Sequence, residues 1–583
     1  MNLAAILHQT TDNYCYAVNK DELIINIKTG YDVKKVYLIY GDPYSGGIMG
    51  GDWKWDGAEE EIYFKKELKH HMFWTTTIRP KYKRARYYFK LISETETVYF
   101  FEEGFLSEEE MHKEGISLQC FTFPWMNEAD ISMTPYWVND TIWYQIFPER
   151  FCNGDTSNDP QNVKAWQSKE VSNRDFYGGD LKGILLKLPY VKELGITGLY
   201  LTPIFSSPST HKYDTSDYFK LDAHFGDEAT LHELVDTAHS MGIKIMLDGV
   251  FNHCGTQFAP WQDVVEKGKD SKYFDWFMIQ KLPIDPNQKD TKDGSYYSFA
   301  FAPNMPKLNT NNKKVRDYFL SVCKYWASEF HIDGLRLDVA NELSHCFCKE
   351  LRIAMKEMNP DFYLLGEIWH NAGKWLSGDE FDAVMNYPLA GGIGDFFVDE
   401  EATKKDFEYT VNRCYTMYQQ QTNDVLFNLL DSHDTQRLRN KVKSIDEFYQ
   451  QLAIVFTMPG SPCIFYGTEI AMEGKHDPDC RRCMPWEEIK GGIYDEEITI
   501  MKQLIAFRKH TKAAKSRHFH FPNKRKESRL VEYIKIDEDG KQIEILINAQ
   551  DKDIPVENEE EILFSRGYHK EILKAGGILI RSI

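Results

Sequence analysis

From Trp143 onward the chain repeats one unit, a short apolar run followed by a longer stretch of helical character. The runs are "IWYQIF", "TGLYLTP", "KIMLDGVF", "GLRLDV", "FYLLGEIW", "FDAVMNY", "DVLFNLLDS" and "SPCIFYG". Stretches such as "DLKGILLKLPYVKELG", "DEATLHELVDTAHSMG" and "NKKVRDYFLSVCKYWASEF" lie between them. Parallel neighbours in a sheet can be joined only by long crossovers, so eight such strands predict a (β/α)8 TIM barrel. The gap between the third run and the helix near Lys313 is too long for a plain loop. Residues from about 252 to 309 are therefore expected to form an inserted subdomain.

The flanks read differently. Residues 1–125 hold "ELIINIKT", "VKKVYLIYG", "MFWTTTIR", "YYFKLIS" and "TVYFFEEG", separated by Gly, Asp and charge clusters, and predict an N-terminal β-sandwich. "FTFPWMNEADISMTPYW" reads as a linker interrupted by Pro124 and Pro135. The barrel is expected over 126–511. The tail over 512–583, with "RLVEYIKI" and "QIEILINA", is expected to form a small C-terminal β-domain.

A net charge of -20 argues against binding nucleic acid or an anionic membrane and suits a neutral substrate. No apolar run reaches the roughly 18 residues of a membrane span, and the N-terminus lacks the basic start and apolar stretch of a signal peptide. A cytoplasmic protein is expected. The cysteine count of 11 is odd and scattered, which fits free thiols; neither Cys346/Cys348 nor the Cys480–Cys483 CxxC completes a zinc pattern.

Barrel enzymes carry their chemistry at the C-terminal ends of the strands. The third strand here ends in Asp248, followed by Asn252 and His253; the fourth carries Arg336 and Asp338; the fifth ends in Glu367, the seventh in His433 and Asp434. Arg336 and Asp338 share a strand face and, taken alone, fit a buried structural ion pair as well as a functional one. Four carboxylates converging on one mouth make a poor structural core, and any of them singly could cap a helix. A carboxyl pair about 5 Å apart supports double-displacement glycoside hydrolysis. Arg336 is expected to keep Asp338 ionised, as a nucleophile requires, and Glu367 to carry a proton under the influence of its carboxylate neighbours. A second cluster, "NGDTSNDP", gathers Asn153, Asp155, Asn158 and Asp159, the oxygen ligands of a hard cation; a turn rich in Asn and Asp explains the same residues without a metal.

"DGVFNH" (248–253), "GLRLDVANE" (334–342), "GEIW" (366–369) and "DSHDT" (431–435) resemble, in order, the four signature regions of the α-amylase family of glycoside hydrolases. "MPKLNT" (305–310), "VANE" and "WYQIFPERF" (143–151) are similar to the cyclomaltodextrinase, neopullulanase and maltogenic amylase subgroup. The resemblance implies roles. Asp338 matches the nucleophile, Glu367 the general acid/base, Asp434 the third carboxylate, and Arg336 the partner of the nucleophile. His253 and His433 match histidines that bond sugar hydroxyls. Tyr213 of "HKYDT" matches a residue stacking on the same glucose, supported by His211 and Asp214. Asp477 and Arg481 of "DPDCRRCMPW" match the pair holding the next sugar on the non-reducing side, and Trp369 matches a wall of the leaving-group side. For Tyr213 and Trp369, ordinary packing explains the residue type equally well. Asp248 reads as structural around Arg336, and Asp431 is given no role.

The same resemblance implies a structural Ca2+ completed by Gly178 and Asp180, no organic cofactor, and a homodimer in which the sandwich of one subunit covers the active-site mouth of the other. Trp53, Trp55, Phe73 and Trp74 are the aromatics available for that interface, or else for the sandwich core. The activity implied is retaining hydrolysis of α-1,4 bonds, with some α-1,6 cleavage, in cyclodextrins, pullulan and maltooligosaccharides, together with transglycosylation. An oligo-α-1,6-glucosidase or a glucan transferase uses the same machinery. A non-catalytic relative would lack the carboxylate trio.

Overall fold

A computed structural model describes residues 1–44, 57–113, 118–167 and 171–583. The chain forms two compact units. One comprises Met1–Met133, Gly373–Asp379 and Glu400–Asn423; the other comprises Thr134–Ala372, Glu380–Asp399 and Asp424–Ile583.

The first unit is a β-sandwich. A four-stranded antiparallel sheet runs in the order Cys15–Ala17, Leu23–Thr29, His71–Ile78, Phe64–Leu68. The facing sheet runs Ala58–Glu61, Lys35–Gly41, Ala85–Ile92, Thr97–Phe101, Gly104–Ser107, with Phe121–Phe123 also paired to Ala85–Ile92. Their inner faces share one core that includes Leu23, Ile25, Leu38, Trp74, Phe89 and Phe100. Two expectations change here. The stretch read as a linker begins with a sandwich strand, because Phe121 is drawn into that core. Phe73 and Trp74 are 4% and 3% exposed, so both are core residues rather than interface residues. Trp53 and Trp55 lie outside the described residues.

The second unit holds eight parallel strands, each within one of the eight apolar runs: Trp143–Ile146, Gly198–Leu201, Lys244–Gly249, Gly334–Leu337, Tyr363–Gly366, Ala383–Val384, Phe427–Asn428 and Ser461–Phe465. The bridge between Met385 and Phe427 closes the sheet into a barrel. Helices start where the sequence supplies a cap. Asp180 caps Leu181–Leu194, Asp227 caps Glu228–Ser240, Asn312 caps Lys313–Phe330 and Ser344 caps His345–Met358, each accepting a first-turn N–H. The stretch after the third strand contains one α-helix, Ala259–Lys267, then short 3-10 helices at Gly268–Asp270, Phe274–Trp276 and Phe299–Phe301 and turns tied by single bridges such as Phe277 to Leu308 and Ile279 to Tyr296.

The tail forms an antiparallel sheet in the order His518–His520, Leu530–Ile536, Gln542–Asn548, Ile572–Ser582, Ile554–Pro555, with Ile562–His569 also paired to Ile572–Ser582. Among the described residues no helix is long and apolar enough to cross a membrane, and the cysteines are free.

Candidate active site

Register builds the centre of the site. The third and fourth barrel strands pair so that Asp248 lies opposite Arg336, and alternation puts Asp338 on the same face two residues on. Arg336 is fully buried and engages three carboxylates. Its Nη1 donates to both oxygens of Asp248 at 2.9 and 3.0 Å and to Asp338 Oδ1 at 3.0 Å. Its Nη2 lies 2.9 Å from Glu367 Oε2. The hydroxyls of Tyr200 and Tyr213 donate to Asp248 at 2.6 and 2.9 Å, so that carboxylate is saturated and anchors the guanidinium. Asp338 and Glu367 thus share one guanidinium, the first through Nη1 and the second through Nη2.

Glu367 takes two further donors, the backbone N–H of Val339 at 2.9 Å and the indole N–H of Trp369 at 3.1 Å. The Trp369 ring is half exposed and lies flat on Tyr387, with centroids 3.7 Å apart and planes at 6°. Asp434 is held from the side by Arg481 at 3.4 Å and by His433 Nε2 at 3.2 Å, and its carboxylate remains partly exposed to the cleft. Arg481 also reaches Asp477 at 2.9 Å.

The cleft over these groups has a volume of about 590 Å³ and is lined by Asp338, Glu367, Asp434, Tyr213, His253, His211, Trp369, Asp477 and Arg481 together with Asn173, Phe299 and Met305. It thus gathers most of the residues expected from the sequence. Arg336 and His433 lie beneath it instead. His433 is completely buried, with Nδ1 against the Gln145 carboxamide at 2.6 Å and Nε2 against the Tyr213 hydroxyl and Asp434. With Gln145 donating to Nδ1, the imidazole proton is on Nε2. Both nitrogens are engaged, so His433 positions Tyr213 and Asp434 and has no free nitrogen for a sugar hydroxyl. His253 differs. Its ring lies against Phe299, and its buried Nε2 has no partner among the described residues.

Burial dominates the electrostatics. It lowers His253 to about 3 and His433 well below the usual imidazole range, so both rings are neutral. It also pushes the Asp338 carboxyl well above the ordinary carboxylate range, against the pull of Arg336. The expectation that Arg336 keeps Asp338 ionised is thereby revised, because one guanidinium charge is shared among Asp248, Asp338 and Glu367.

The second cluster forms a cradle away from the cleft. Asn153 Nδ2 donates to Asp159 at 2.8 Å and Asn158 Nδ2 to Asp180 at 3.1 Å, leaving the buried Oδ1 atoms of Asn153 and Asn158 without partners among the described residues. A Cβ at Gly178 would lie 2.2 Å from Asp159 Oδ1, and φ there is +79°. Asp180 caps a helix and also accepts from the Gly154 and Asp155 amides. Asp155 is turned outward onto Ser157, bonding its N–H and its hydroxyl. Two orphaned amide oxygens beside a carboxylate fit a hard cation, with Asn153, Asn158 and Asp159 as the main donors.

Sequence reasoning missed Tyr200, Gln145 and Tyr387, which hold Asp248, His433 and Trp369 in place. A polar atom inside a fully buried strand was the available signal for Gln145 and Tyr200. Tyr387 begins the helix Tyr387–Val398 and carried no such signal.

Residues 145–555 match the alpha amylase catalytic domain, and residues 1–127 match the alpha amylase N-terminal ig-like domain. The chain is 45% identical over 520 residues to a cyclomaltodextrinase of Geobacillus thermopakistaniensis, covering 88% of this chain and 85% of that one. It is 43% identical to a maltogenic alpha-amylase of Bacillus acidopullulyticus (93% and 91% covered) and 42% identical to neopullulanase 2 of Thermoactinomyces vulgaris (84% and 81%). A solved cyclomaltodextrinase structure superposes over 100% of both chains with a TM-score of 0.89 at 37% identity. With its barrel, its N-terminal sandwich and the carboxylates of its cleft all accounted for, the chain belongs to the α-amylase family of glycoside hydrolases.

Proposed function

We propose that the protein is a retaining α-glucan hydrolase. It cleaves α-1,4 bonds, and some α-1,6 bonds, in cyclodextrins, pullulan and maltooligosaccharides, and transfers glycosyl groups as a side reaction. The observation that carries this reading is the Arg336 guanidinium joining Asp338 and Glu367 under one cleft. Relatives named for action on cyclomaltodextrin, maltose-forming amylolysis and pullulan support the substrate class.

Asp338 attacks the anomeric carbon while Glu367 protonates the departing oxygen, and Glu367 then takes a proton from the water that releases the sugar. In the reacting complex Asp338 serves as the anionic nucleophile beside Arg336 and Glu367 as the proton donor. Asp434 and the free Nε2 of His253 bond hydroxyls of the sugar being attacked, which Tyr213 stacks against. Asp477 and Arg481 hold the next unit on the non-reducing side. Asn153, Asn158, Asp159, Gly178 and Asp180 would hold a Ca2+ that fastens the loop after the first barrel strand and takes no part in bond cleavage. The protein acts as a homodimer inside the cell, as the subgroup resemblance and a relative named intracellular maltogenic amylase support.

Digestion of β-cyclodextrin, pullulan and soluble starch side by side, followed by proton NMR from the first turnovers, tests the reading. Expected are faster opening of the cyclodextrin than of starch and a first product with the α configuration. A first product with the β configuration would overturn the double displacement.

A further inference from the structure

Two residues of the loop after Phe205–Ser206, His211 and Tyr213, line the cleft, and their rings lie 6.0 Å apart at 27°. Lys212 stands between them and points the other way. It is 1% exposed. Its ammonium lies 2.9 Å from Asp222 Oδ2 and donates to the Ser207 carbonyl at 3.2 Å. Asp222 also accepts the Ser207 N–H at 2.9 Å, so both groups sit at the base of the hairpin formed by Phe205–Ser206 and Asp217–Leu221. The rings of Phe225 and Phe176 flank the ammonium at 5.1 and 5.7 Å. The side chain thus runs from the middle of the loop back to its base.

A lysine here carries two costs. Its φ is +64°, a left-handed conformation that a residue with a Cβ seldom adopts and glycine takes freely. Its charge is also withdrawn from water, and burial lowers its pKa against the pull of Asp222. Glycine would remove both costs. What lysine adds is a tie between loop and base. Other contacts hold the loop's own shape: Ser207 and Ser209 donate to Asp214, and the Lys212 and Tyr213 N–H groups are taken by Ser209 Oγ at 3.0 Å and His211 Nδ1 at 3.1 Å. The Thr210 hydroxyl adds one bond to the Asn173 carbonyl at 3.0 Å. The Tyr213 hydroxyl is fixed by Asp248 and His433. That leaves the backbone end of the ring to be fixed by its neighbour.

We propose that Lys212 is a positioning residue for the reaction: its ammonium fixes the backbone end of Tyr213, as Asp248 and His433 fix the hydroxyl end, and so sets the ring against which the attacked sugar lies. The proposal rests on the α-glucan reading above and deepens it.

The test measures kcat/KM on maltotriose and the melting temperature for wild type, Lys212→Met and Lys212→Gly, and for each substitution combined with Tyr213→Ala. Well below its melting transition, each single Lys212 variant is expected to lose about tenfold or more in kcat/KM, since a displacement of about 1 Å costs roughly 100-fold. Lys212→Gly relieves the backbone and tests the tie even should Lys212→Met fail to fold. In the Tyr213→Ala background the same substitutions are expected to cost less than about twofold further, because the ring they displace is gone. A wild-type kcat/KM in the folded variants, or losses that multiply in full with that of Tyr213→Ala, would make Lys212 a structural ion pair only and overturn the proposal, with the hydrolase reading intact. A wild-type protein that cleaves no α-glucan would overturn both.

Discussion

Replacing Arg336 by methionine keeps a chain of similar length and removes the buried charge. The guanidinium has no exposed surface and faces Asp248, Asp338 and Glu367, themselves almost fully buried. Deleting one partner of a buried ion pair costs about 3–5 kcal/mol. Here the lost cation serves three carboxylates, which puts the expected loss at about 5 kcal/mol, a large part of a typical 5–15 kcal/mol stability. The loss must depend on pH. Burial already raises the Asp248 and Asp338 carboxyls above their unfolded values, and without the guanidinium they are pushed higher still, so the folded variant binds more protons than folded wild type. Stability then falls as pH rises. The deficit of the variant against wild type is expected to widen as pH rises above the ordinary carboxylate range. Urea unfolding followed by tryptophan fluorescence at several pH values measures it. A deficit below about 1 kcal/mol, or one flat with pH, would refute the shared-guanidinium argument. Arg336→Lys restores a charge without the planar fork and is expected to recover part of the stability while turnover stays low.

Asp338→Asn is expected to lower turnover by about four orders of magnitude yet to raise the melting temperature near neutral pH. The folded-state pKa of Asp338 is raised by burial, so wild type loses stability as pH climbs through that value, whereas the amide does not titrate; a variant less stable than wild type near neutral pH would contradict this. Removing divalent ions with a chelator should lower the melting temperature and added Ca2+ should restore it, with little change in turnover of the protein that stays folded; an unchanged melting temperature would count against the cradle. Light scattering should report a homodimer, and a monomer at working concentration would set aside that part of the proposal.

The barrel was legible in the sequence because its strands are buried on both faces and stand out as short apolar runs, and the helix starts because Asp180, Asp227, Asn312 and Ser344 announce them. The sandwich edges were not. Ala58–Glu61 and Phe64–Leu68 carry charge because they lie at sheet edges, which hides the strand pattern. Phe73 and Trp74 are adjacent and both buried, so alternation could not say which faced inward. The first unit also includes residues 400–423, which are remote in sequence; Asn412 there donates to the Glu67 carbonyl at 2.9 Å. In the site, residue identity and spacing brought out the carboxylates and Arg336. The resemblance placed Asp248 around Arg336, but nothing in the sequence revealed that Arg336 also reaches Glu367, since that contact depends on cross-strand register. The withdrawal of His433 behind Tyr213 was hidden for the same reason: motif matching names a residue without its depth.

The barrel closes through its two shortest strands, Ala383–Val384 and Phe427–Asn428, which meet in the single Met385–Phe427 bridge, with the Asn386 and Asn428 side-chain amides joined at 2.8 Å. So small a seam is where the ring opens at least cost, well below the free energy of global unfolding. Opening it parts the strand that leads to Asp434 from those that carry Glu367 and Trp369, so activity fails while most of the barrel still stands. In hydrogen exchange the amide of Asn386, which donates to the Phe427 carbonyl at 2.8 Å, should give up protection before those of Leu335 and Leu337. Heat inactivation should then follow the lifetime of this seam, and a graft that lengthens the sixth and seventh strands should prolong activity at high temperature without touching a catalytic group.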